Sequence, residues 1–579
     1  MELYFTFPNW KRKAFSFTYD DATIHDYKMV ETLNRFGLRG TFNLVPSWLG
    51  RDGYVQKADV AKLYRGHEIA SHGYRHVHLN DLSPEALRAE LRDGRAALED
   101  LLGKPVPGFA SPYGQMSRAI IEAMRETGFA YGRGTAMTGN VSLVPENWLD
   151  WAPTAWHGDP EIFKKIDAFL ANSCWGGSMI DFRLFGHSYE FHDAGNWDLL
   201  ERICERVAHR DDIWYVTDIE LRDYFKALDE VRISMDGHIV ENLSSTTLYA
   251  RWGRIFATAD AKDIVLRPGE LVDLNAYLPE KPSAIEIRDR SVPAETRTWS
   301  GKGDFQLAYP GWRQKALTFS YDDGCEGDRH MLDILNKHGI KGTFNLNSEY
   351  MPEDIPADTT RSDFGFFHYP ATRKELTTLY KGHEIAVHGA RHDTYNFIPY
   401  PVVVNDIYTN RLELERLTGK PVRGMAYPCG SASKSPRNEN ILRALGIVYS
   451  RVVATDPSFE LPSDWLDWHP TAHHNDNIAE VGKAFLAKKV LGDPLLCYIW
   501  GHAFELDGRN NWNVIEDFCD LMANRPEIWY ATNIEIYEYV HAARSLRWSL
   551  GRHAVENPTA FPIYGFEDGE PCVIPPDAK

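Results

Sequence analysis

Two aspartates and two histidines lie at spacings that suit a metal-dependent hydrolase. Asp20 and Asp21 end the strand-like run FSFTYDD, and the motif HGYRH places His72 four residues before His76. Histidines at positions i and i+4 can face the same way on one helical turn and bind one metal ion. A carboxylate from the end of another strand would complete a site that keeps open positions for water and substrate. These residues therefore predict a hydrolytic metal site.

The same residues return because the chain is an internal duplication. FSFTYDD at 15–21 returns as LTFSYDD at 317–323, and GHEIASHGYRH at 66–76 returns as GHEIAVHGARH at 382–392. Later segments also pair, such as WLDWAPTAWH with WLDWHPTAHH and LFGHSYEF with IWGHAFEL. The offset rises from 302 to 316 residues, so the second copy carries an insertion of 14 residues between Asn345 and His383. The joint return of both motifs counts against the simpler interpretation that the aspartates only cap a helix and the histidines are structural.

Composition and charge limit the class of protein and its partners. Of 579 residues 43% are hydrophobic and 25% charged, which is typical of a folded globular protein. The net charge of −19 disfavours nucleic acid and anionic membrane surfaces as partners. The seven cysteines are odd in number, lack CxxC spacing and predict free thiols. Because the N-terminal residues also lack the apolar core of a signal peptide, we expect a cytoplasmic protein.

Strand-like and helical patterns alternate along each copy. For example, SPEALRAELRDGRAALEDLLG predicts a helix with Ser83 as N-cap, Pro84 in its first turn and Gly103 as C-cap. Such alternation predicts an α/β fold with a parallel sheet, either open or closed into a barrel, and polar residues at the strand ends would form its site. The predicted organisation is a first copy at 1–230, a β-rich appendage at 231–275, a linker at 276–304, a second copy at 305–545 and a β-rich tail at 546–579.

The motifs TYDD, HGYRH, SPYG, LDW and GH, in this order, resemble those of the polysaccharide deacetylases. These are the NodB-homology proteins of carbohydrate esterase family 4, and the resemblance covers residues 15–220 and 317–535. It implies two tandem distorted (β/α) barrels, each with one divalent metal ion. That ion would be zinc, with cobalt, manganese or nickel as alternatives. The implied reaction is removal of the N-acetyl group from an acetylated amino sugar or oligosaccharide.

The resemblance also implies roles for the first two motifs. Asp20 would be the general base that deprotonates the attacking water. Asp21 would be the first metal ligand, and His72 and His76 would complete the metal site. In the second copy the same roles would fall to Asp322, Asp323, His388 and His392.

The later motifs would supply the general acid and the substrate pocket. His187 would protonate the leaving amine, and Asp150 would orient that histidine. A backbone N–H near Tyr113 would stabilise the oxyanion, and Trp151 would wall the acetyl pocket. The corresponding residues of the second copy are His502, Asp467, Cys429 and Trp468.

One departure from the family pattern concerns the general base. The third motif usually begins with an arginine that pairs with the catalytic aspartate, but Ala110 and Ala426 occupy that position here. We predict that Arg133 and Arg451, which end the next strand of each copy, reach the base instead. The alternative is that both are solvated arginines at strand ends.

Three functions remain open from the sequence. The first is N-deacetylation, and the second is hydrolysis of cyclic amides by an allantoinase-like or imidase-like relative on the same fold. The expected cytoplasmic location favours the second function, because a cell-wall polymer would lie outside that compartment. The third is a carbohydrate-binding scaffold with retired sites. We also expect both sites to bind metal and the second, with its insertion and Cys429, to prefer substrates of a different size.

Overall fold

Buried strands alternate with helices in each copy, as the sequence pattern predicts. The structure, a computed structural model, describes residues 2–139, 145, 147–174, 179–254, 257–274, 284–287, 296–354 and 371–576. In the first copy the strands are β1 (Glu2–Thr6), β2 (Lys13–Asp20), β3 (Gly40–Leu44), β4 (Glu68–Ser71), β5 (Gly108–Ala110), β6 (Tyr131–Arg133), β7 (Ala155–Trp156), β8 (Ile180–His187) and β9 (Ile213–Tyr215). The helices are α1 (Asp26–Arg35), α2 (Val60–Leu63), α3 (Pro84–Leu102), α4 (Arg118–Thr127), α5 (Ile162–Ala171), α6 (Ser188–Asp193), α7 (Trp197–Val207) and α8 (Asp218–Asp229).

Strands β2 to β9 form one parallel sheet that curls into a barrel. The strand order is β6-β5-β4-β3-β2-β8-β7, and β9 also pairs with β2. Residues 151–154 close the gap between β6 and β8. The Trp151 amide donates to the Gly132 carbonyl of β6 at 2.8 Å, and the Thr154 amide donates to the Arg183 carbonyl of β8 at 2.9 Å. Every residue of β2, β3 and β4 is buried, as expected for parallel strands covered on both faces. The carboxyl ends of these strands meet at one mouth of the barrel.

Helix α3 supports the mouth of the first barrel. Its ends lie where the sequence predicts, because the Ser83 hydroxyl accepts a hydrogen bond from the Ala86 amide and Gly103 has a φ of 66°. A Cβ atom at Gly94 would lie 2.7 Å from the carbonyl carbon of Gly73, so this helix touches the backbone of the HGYRH loop. The buried Glu90 carboxylate also accepts a hydrogen bond from the Arg75 amide at 2.5 Å. Packing of α3 therefore fixes the loop that carries both histidines.

The second copy repeats this architecture. Its strands are β16 (Phe305–Leu307), β17 (Lys315–Asp322), β18 (Gly342–Leu346), β19 (Glu384–Val387), β20 (Gly424–Ala426), β21 (Tyr449–Arg451), β22 (Ala472–His473), β23 (Leu495–Gly501) and β24 (Ile528–Tyr530). Its helices are α9 (Asp328–Lys337), α10 (Leu376–Leu379), α11 (Tyr400–Thr418), α12 (Pro436–Ala444), α13 (Ile478–Ala487), α14 (Ala503–Arg509), α15 (Asn513–Met522) and α16 (Asn533–Arg544). The order β21-β20-β19-β18-β17-β23-β22, with β24 on β17, matches the first barrel. The prediction of two tandem (β/α) barrels is confirmed. Residues 355–370, in the region of the insertion, lie outside the described part of the chain.

Antiparallel strands follow each barrel, but their boundaries differ from the predicted ones. After the first barrel come β10 (Val231–Ile233), β11 (Ile239–Asn242), β12 (Leu248–Arg254), β13 (Ala257–Leu266), β14 (Glu270–Asp273) and β15 (Ala284–Ile287); after the second come β25 (Arg547–Trp548), β26 (Val555–Glu556), β27 (Ile563–Glu567) and β28 (Glu570–Ile574). Strand β1 joins β12, and β16 joins β27, so each appendage also uses the strand that precedes its barrel. The predicted linker at 276–304 is not a linker throughout, because β15 pairs with β14 and the Ser300 amide donates to Glu567.

The two halves contact each other reciprocally. Arg95 of α3 donates to the Trp548 carbonyl at 2.9 Å, and its counterpart Arg411 of α11 donates to the Ile233 carbonyl at 3.2 Å. Ser244 and Thr559, which occupy equivalent positions in the two appendages, pair with each other in an isolated antiparallel bridge. This pattern is that of an isologous dimer interface within one chain. In the described ranges no helix is both long and apolar enough to cross a membrane.

Candidate active sites

One aspartate and two histidines converge at the mouth of each barrel. The Nε2 atoms of His72 and His76 both lie 3.6 Å from Oδ1 of Asp21. In the second copy the matching distances, from His388 and His392 to Asp323, are 3.6 and 3.5 Å. Ligand atoms about 2 Å from one tetrahedral ion lie at such separations. Both triads therefore have the spacing of a metal site.

The loop that carries the histidines is not the helical turn that the sequence suggested. Residues 72–76 lie in irregular structure, and Gly73 and His76 have φ angles of 77° and 60°. The same left-handed conformations occur at Gly389 and His392. Tertiary packing of α3 or α11 against this loop, rather than helical periodicity, brings the two rings together.

The hydrogen bonds of the first histidine leave its second nitrogen free for a metal. His72 directs Nδ1 at the Ala110 carbonyl oxygen at 2.8 Å, and His388 directs Nδ1 at that of Ala426 at 2.9 Å. A carbonyl accepts only from N–H, so Nε2 keeps its lone pair toward the aspartate, as in most protein metal sites. Burial lowers the pKa of His72 to about 4 and also lowers the pKa of His76.

The metal-ligand carboxylate lacks a protein partner. Oδ1 of Asp21 and of Asp323 is buried and has no hydrogen-bond donor among the described residues. Burial, with a smaller contribution from the neighbouring Asp20, raises the pKa of Asp21 to about 6. Buried oxygens without donors are rare, and a bound cation would account for these two. The donor set of imidazole and carboxylate fits zinc.

The aspartate preceding each metal ligand is held by an arginine. Nη2 of Arg133 donates to Oδ1 of Asp20 at 2.5 Å, and Nδ2 of Asn43 donates to the same oxygen at 2.9 Å. Burial by itself would raise the pKa of Asp20, but Arg133 and two nearby histidines lower it below its usual value. In the second copy Arg451 and Asn345 likewise donate to Asp322, but to its two different oxygens, Oδ2 and Oδ1. The structure thus places both arginines where the sequence analysis predicted them.

The sequence analysis did not identify the asparagine partner of this aspartate. Asn43 and Asn345 are buried in the strand GTFNL, which is identical in both copies. An amide retained at the same place of a buried strand in both copies was the available signal, because buried polar groups need a partner.

The candidate general acids face the metal-ligand carboxylates. Nε2 of His187 lies 3.8 Å from Oδ2 of Asp21, and Nε2 of His502 lies 4.0 Å from Oδ2 of Asp323 and 3.8 Å from Oδ2 of Asp322. His187 ends β8 and His502 directly follows β23, and these strands pair in parallel with β2 and β17, which lead to the aspartates. Parallel pairing therefore explains this convergence.

The prediction that Asp150 and Asp467 orient these histidines is wrong. Asp150 is exposed, and Asp467 forms ion pairs with Lys434 and His469. The Nδ1 atoms of His187 and His502 instead face Glu190 and Glu505, which follow three residues later on α6 and α14.

Trp151 and Trp468 do not wall a pocket. Both are 1% exposed, so neither ring offers a face to a sugar. The Arg183 guanidinium lies 3.5 Å from the centroid of the Trp151 ring, and Trp468 packs edge-on against Tyr498. Their role in the structure is to fill the barrel where the closing segment passes.

Tyr113 and Cys429 lie beside the second histidine of each triad. The Tyr113 ring centroid is 4.6 Å from that of His76, and the Cys429 sulfur is 3.8 Å from Nδ1 of His392. Both residues have left-handed backbones, with φ of 57° and 56°. Non-glycine residues with positive φ are uncommon and persist where the surrounding structure enforces them. The two copies therefore share this backbone while presenting a phenol in one site and a thiol in the other.

Comparison with known proteins finds one family to which part of each barrel is similar. A family model described as polysaccharide deacetylase matches residues 8–132 and 311–450, one region in each copy. The chain is 21% identical over 122 residues to YxkH of Bacillus subtilis, whose name provisionally assigns it to the polysaccharide deacetylases; the match covers 21% of this chain and 44% of YxkH. It is 28% identical over 99 residues to YlxY of the same organism, a protein without an assigned function, covering 17% of this chain and 30% of YlxY.

Solved structures of similar fold include a family 4 carbohydrate esterase and an allantoinase. A family 4 carbohydrate esterase from Streptomyces lividans, solved with acetate, is 16% identical with a TM-score of 0.23, covering 34% of this chain and 88% of that one. The allantoinase Puue is 14% identical with a TM-score of 0.32, covering 37% and 91%. The chain spans less than half the length of the curated relatives it matches. The paired family matches show that each half of the chain contains a region similar to the polysaccharide deacetylases.

Proposed function

We propose that each barrel is a metal-dependent amide hydrolase that removes the acetyl group from acetylated amino sugars or their oligosaccharides. The observation that supports it best is the recurrence, in both copies, of an Asp-His-His triad next to an arginine-paired aspartate and a histidine. Both copies keep this whole arrangement although their sequences are only partly identical. Sites that had lost their function would not be expected to keep it, so its retention argues against retired sites.

Zinc, or alternatively cobalt, manganese or nickel, would be held by Asp21, His72 and His76, one ion per barrel. A divalent ion there supplies a Lewis acid for the scissile carbonyl and for water. Asp20 accepts the proton of the attacking water, while Arg133 keeps its carboxylate ionised and oriented.

Two further groups complete the reaction in each site. The backbone N–H of Tyr113, or of Cys429 in the second barrel, donates a hydrogen bond to the developing oxyanion. His187 or His502 gives a proton to the leaving amine, which makes the nitrogen a competent leaving group. The position of these residues at the mouth of the barrel supports these roles, because the substrate must approach the metal there.

A screen of acetylated sugars with acetate detection in metal-supplemented protein tests the proposal. Asp21→Ala and Asp323→Ala should each remove one of two bound metal equivalents, and the double variant should release no acetate. Asp100→Ala, on the exposed face of α3, is the matched control and should behave as the wild type. Turnover of hydantoins or cyclic imides without acetate release would instead support the cyclic-amide hydrolase, and absence of bound metal would support a scaffold.

We propose a cytoplasmic location for this activity. The seven cysteines all lie in the described ranges, and none is paired with another. Six of them are buried as free thiols, which persist best in a reducing compartment. Fractionation of cells that produce the protein checks this, and recovery outside the cytoplasm would contradict it.

A further inference from the structure

A glutamate lies against the ring of each candidate general acid. Oε1 of Glu505 is 2.8 Å from Nδ1 of His502, and Oε1 of Glu190 is 3.5 Å from Nδ1 of His187. The opposite nitrogen, Nε2, faces the metal-ligand aspartates in both copies. Each ring therefore lies between a carboxylate on one side and the candidate reaction site on the other, with a hydrogen bond to the carboxylate in the second copy and a 3.5 Å ion-pair contact in the first.

The first of these glutamates is itself held in place. Oε2 of Glu190 accepts hydrogen bonds from the His187 backbone amide at 3.0 Å and from Nε1 of Trp156 at 3.1 Å. A Cβ atom at Gly186 would lie 2.1 Å from Nδ1 of His157, whose Nε2 is 3.3 Å from the same carboxylate oxygen. The glycine of the GH motif thus makes room for the ring that packs behind the glutamate. With Oε2 fixed in this way, Oε1 lies on the side of the carboxylate that faces Nδ1 of His187, at 3.5 Å.

In the second copy an imidazole replaces the indole. Oε2 of Glu505 accepts from Nδ2 of Asn475 at 2.5 Å and faces Nε2 of His473 at 3.5 Å and of His474 at 3.4 Å. His473, His474 and Glu505 thus resemble a third metal site in spacing. The backbone N–H of Asn475, however, donates a hydrogen bond to Nδ1 of His473 at 3.2 Å. Nδ1 is therefore the acceptor, and the proton of that ring is on Nε2. A nitrogen that carries a proton cannot bind a metal, so this cluster holds the carboxylate.

We propose that Glu190 and Glu505 are the positioning residues of His187 and His502, in place of Asp150 and Asp467. The proposal rests on the proposed function for its catalytic consequence. A carboxylate that accepts the Nδ1 proton fixes the ring orientation and presents Nε2 to the substrate. In the reaction, Nε2 transfers one proton to the leaving nitrogen as the C–N bond breaks, and the ring is left neutral with its remaining proton on Nδ1.

Two substrates with different leaving groups separate positioning from a structural role. An amide of an amino sugar needs a proton on its leaving nitrogen, whereas p-nitrophenyl acetate releases a phenolate that needs none. In an Asp323→Ala background, which isolates the first site, Glu190→Gln should lower kcat for the amide about 10²-fold, the size of a general-acid contribution. The loss on the ester should be at least about tenfold smaller for the same reason.

Matched variants complete this experiment. His187→Ala should show the same selectivity, and adding Glu190→Gln to it should cause no further selective loss, because the two residues act as one unit. Asp150→Asn should show no selectivity. Equal losses on amide and ester for Glu190→Gln, or a selective loss for Asp150→Asn, would overturn the proposal.

A spectroscopic readout does not depend on turnover. In ¹⁵N-labelled protein the His187 ring should carry its proton on Nδ1, and Glu190→Gln should shift that resonance while Asp150→Asn should not. A wild-type ring protonated only on Nε2 would contradict the positioning role. If no amide is hydrolysed but the Nδ1 proton is present and sensitive to Glu190, the proposed function fails and the positioning stands.

Discussion

Replacing Arg133 by methionine should destabilise the protein by about 3–5 kcal/mol at neutral pH, because the change leaves a buried carboxylate without its charged partner. Arg133 and Asp20 are 1% and 3% exposed, and their 2.5 Å contact lies inside the barrel. Methionine retains the apolar stem of the arginine, so the loss comes mainly from the unpaired charge. Arg451→Met, opposite Asp322, is the matched variant in the second barrel.

The pH dependence of this loss has a definite sign. Burial would raise the pKa of Asp20, and Arg133 is the largest of the groups that lower it instead. In the wild type the ionised carboxylate therefore stabilises the fold above the pKa of an unfolded aspartate, about 4, and this contribution is lost as the pH falls through the folded pKa. Without Arg133 burial dominates and the folded carboxyl binds a proton more readily than the unfolded one. The deficit of the variant should shrink as the pH falls from 7 to 5.

Urea denaturation of EDTA-treated protein at pH 7 and pH 5 measures both effects. Adding Asp20→Asn to Arg133→Met should recover part of the lost free energy, since a neutral amide replaces the unpaired charge. The reasoning is refuted if Arg133→Met unfolds at the wild-type urea concentration at both pH values, or if the double variant is no more stable than Arg133→Met.

Three further predictions concern the metal, the thiol and the contact between the halves. In Asp323→Ala protein, zinc affinity should fall about tenfold per pH unit below pH 6, because a proton competes for Asp21, whose pKa burial raises to about 6; a flat calorimetric profile would contradict this. N-ethylmaleimide should inhibit the Asp21→Ala enzyme and spare the Asp323→Ala enzyme, because Cys429 is the exposed cysteine and lies in the second site. Equal inhibition of the two variants would show that modification of Cys429 is not the cause. Ser244→Cys with Thr559→Cys should form an intramolecular disulfide, since antiparallel bridge partners lie about 4.5–5.5 Å apart at Cα; unchanged mobility on a non-reducing gel after oxidation would count against the bridge.

Much of each site could be predicted because its residues lie at the carboxyl ends of parallel strands. Asp20 ends β2, Arg133 ends β6 and His187 ends β8, and parallel strands bring their ends to one mouth whatever the loops do. The duplication strengthened these predictions, because a residue needed for the site returns at the equivalent place. The arginine partner of Asp20 was found in this way.

The errors fall on residues whose contacts depend on loops and on side-chain direction. Asp150 and Trp151 lie in the segment that closes the barrel, and the sequence pattern does not say which way that segment turns its side chains. His72 and His76 converge through a left-handed loop held by α3, which their spacing alone could not distinguish from a helical turn.

The sequence by itself determined the duplication, the parallel α/β architecture and the set of residues that could bind a metal. Periodicity and strand-end position are local properties, so they can be read from consecutive residues. Only the tertiary structure decided that Glu190 rather than Asp150 meets His187 and that Asn43 meets Asp20. Such pairs are fixed by the close packing of elements distant along the chain or by the turn of a single helix, where a shift of a few ångströms exchanges one partner for another.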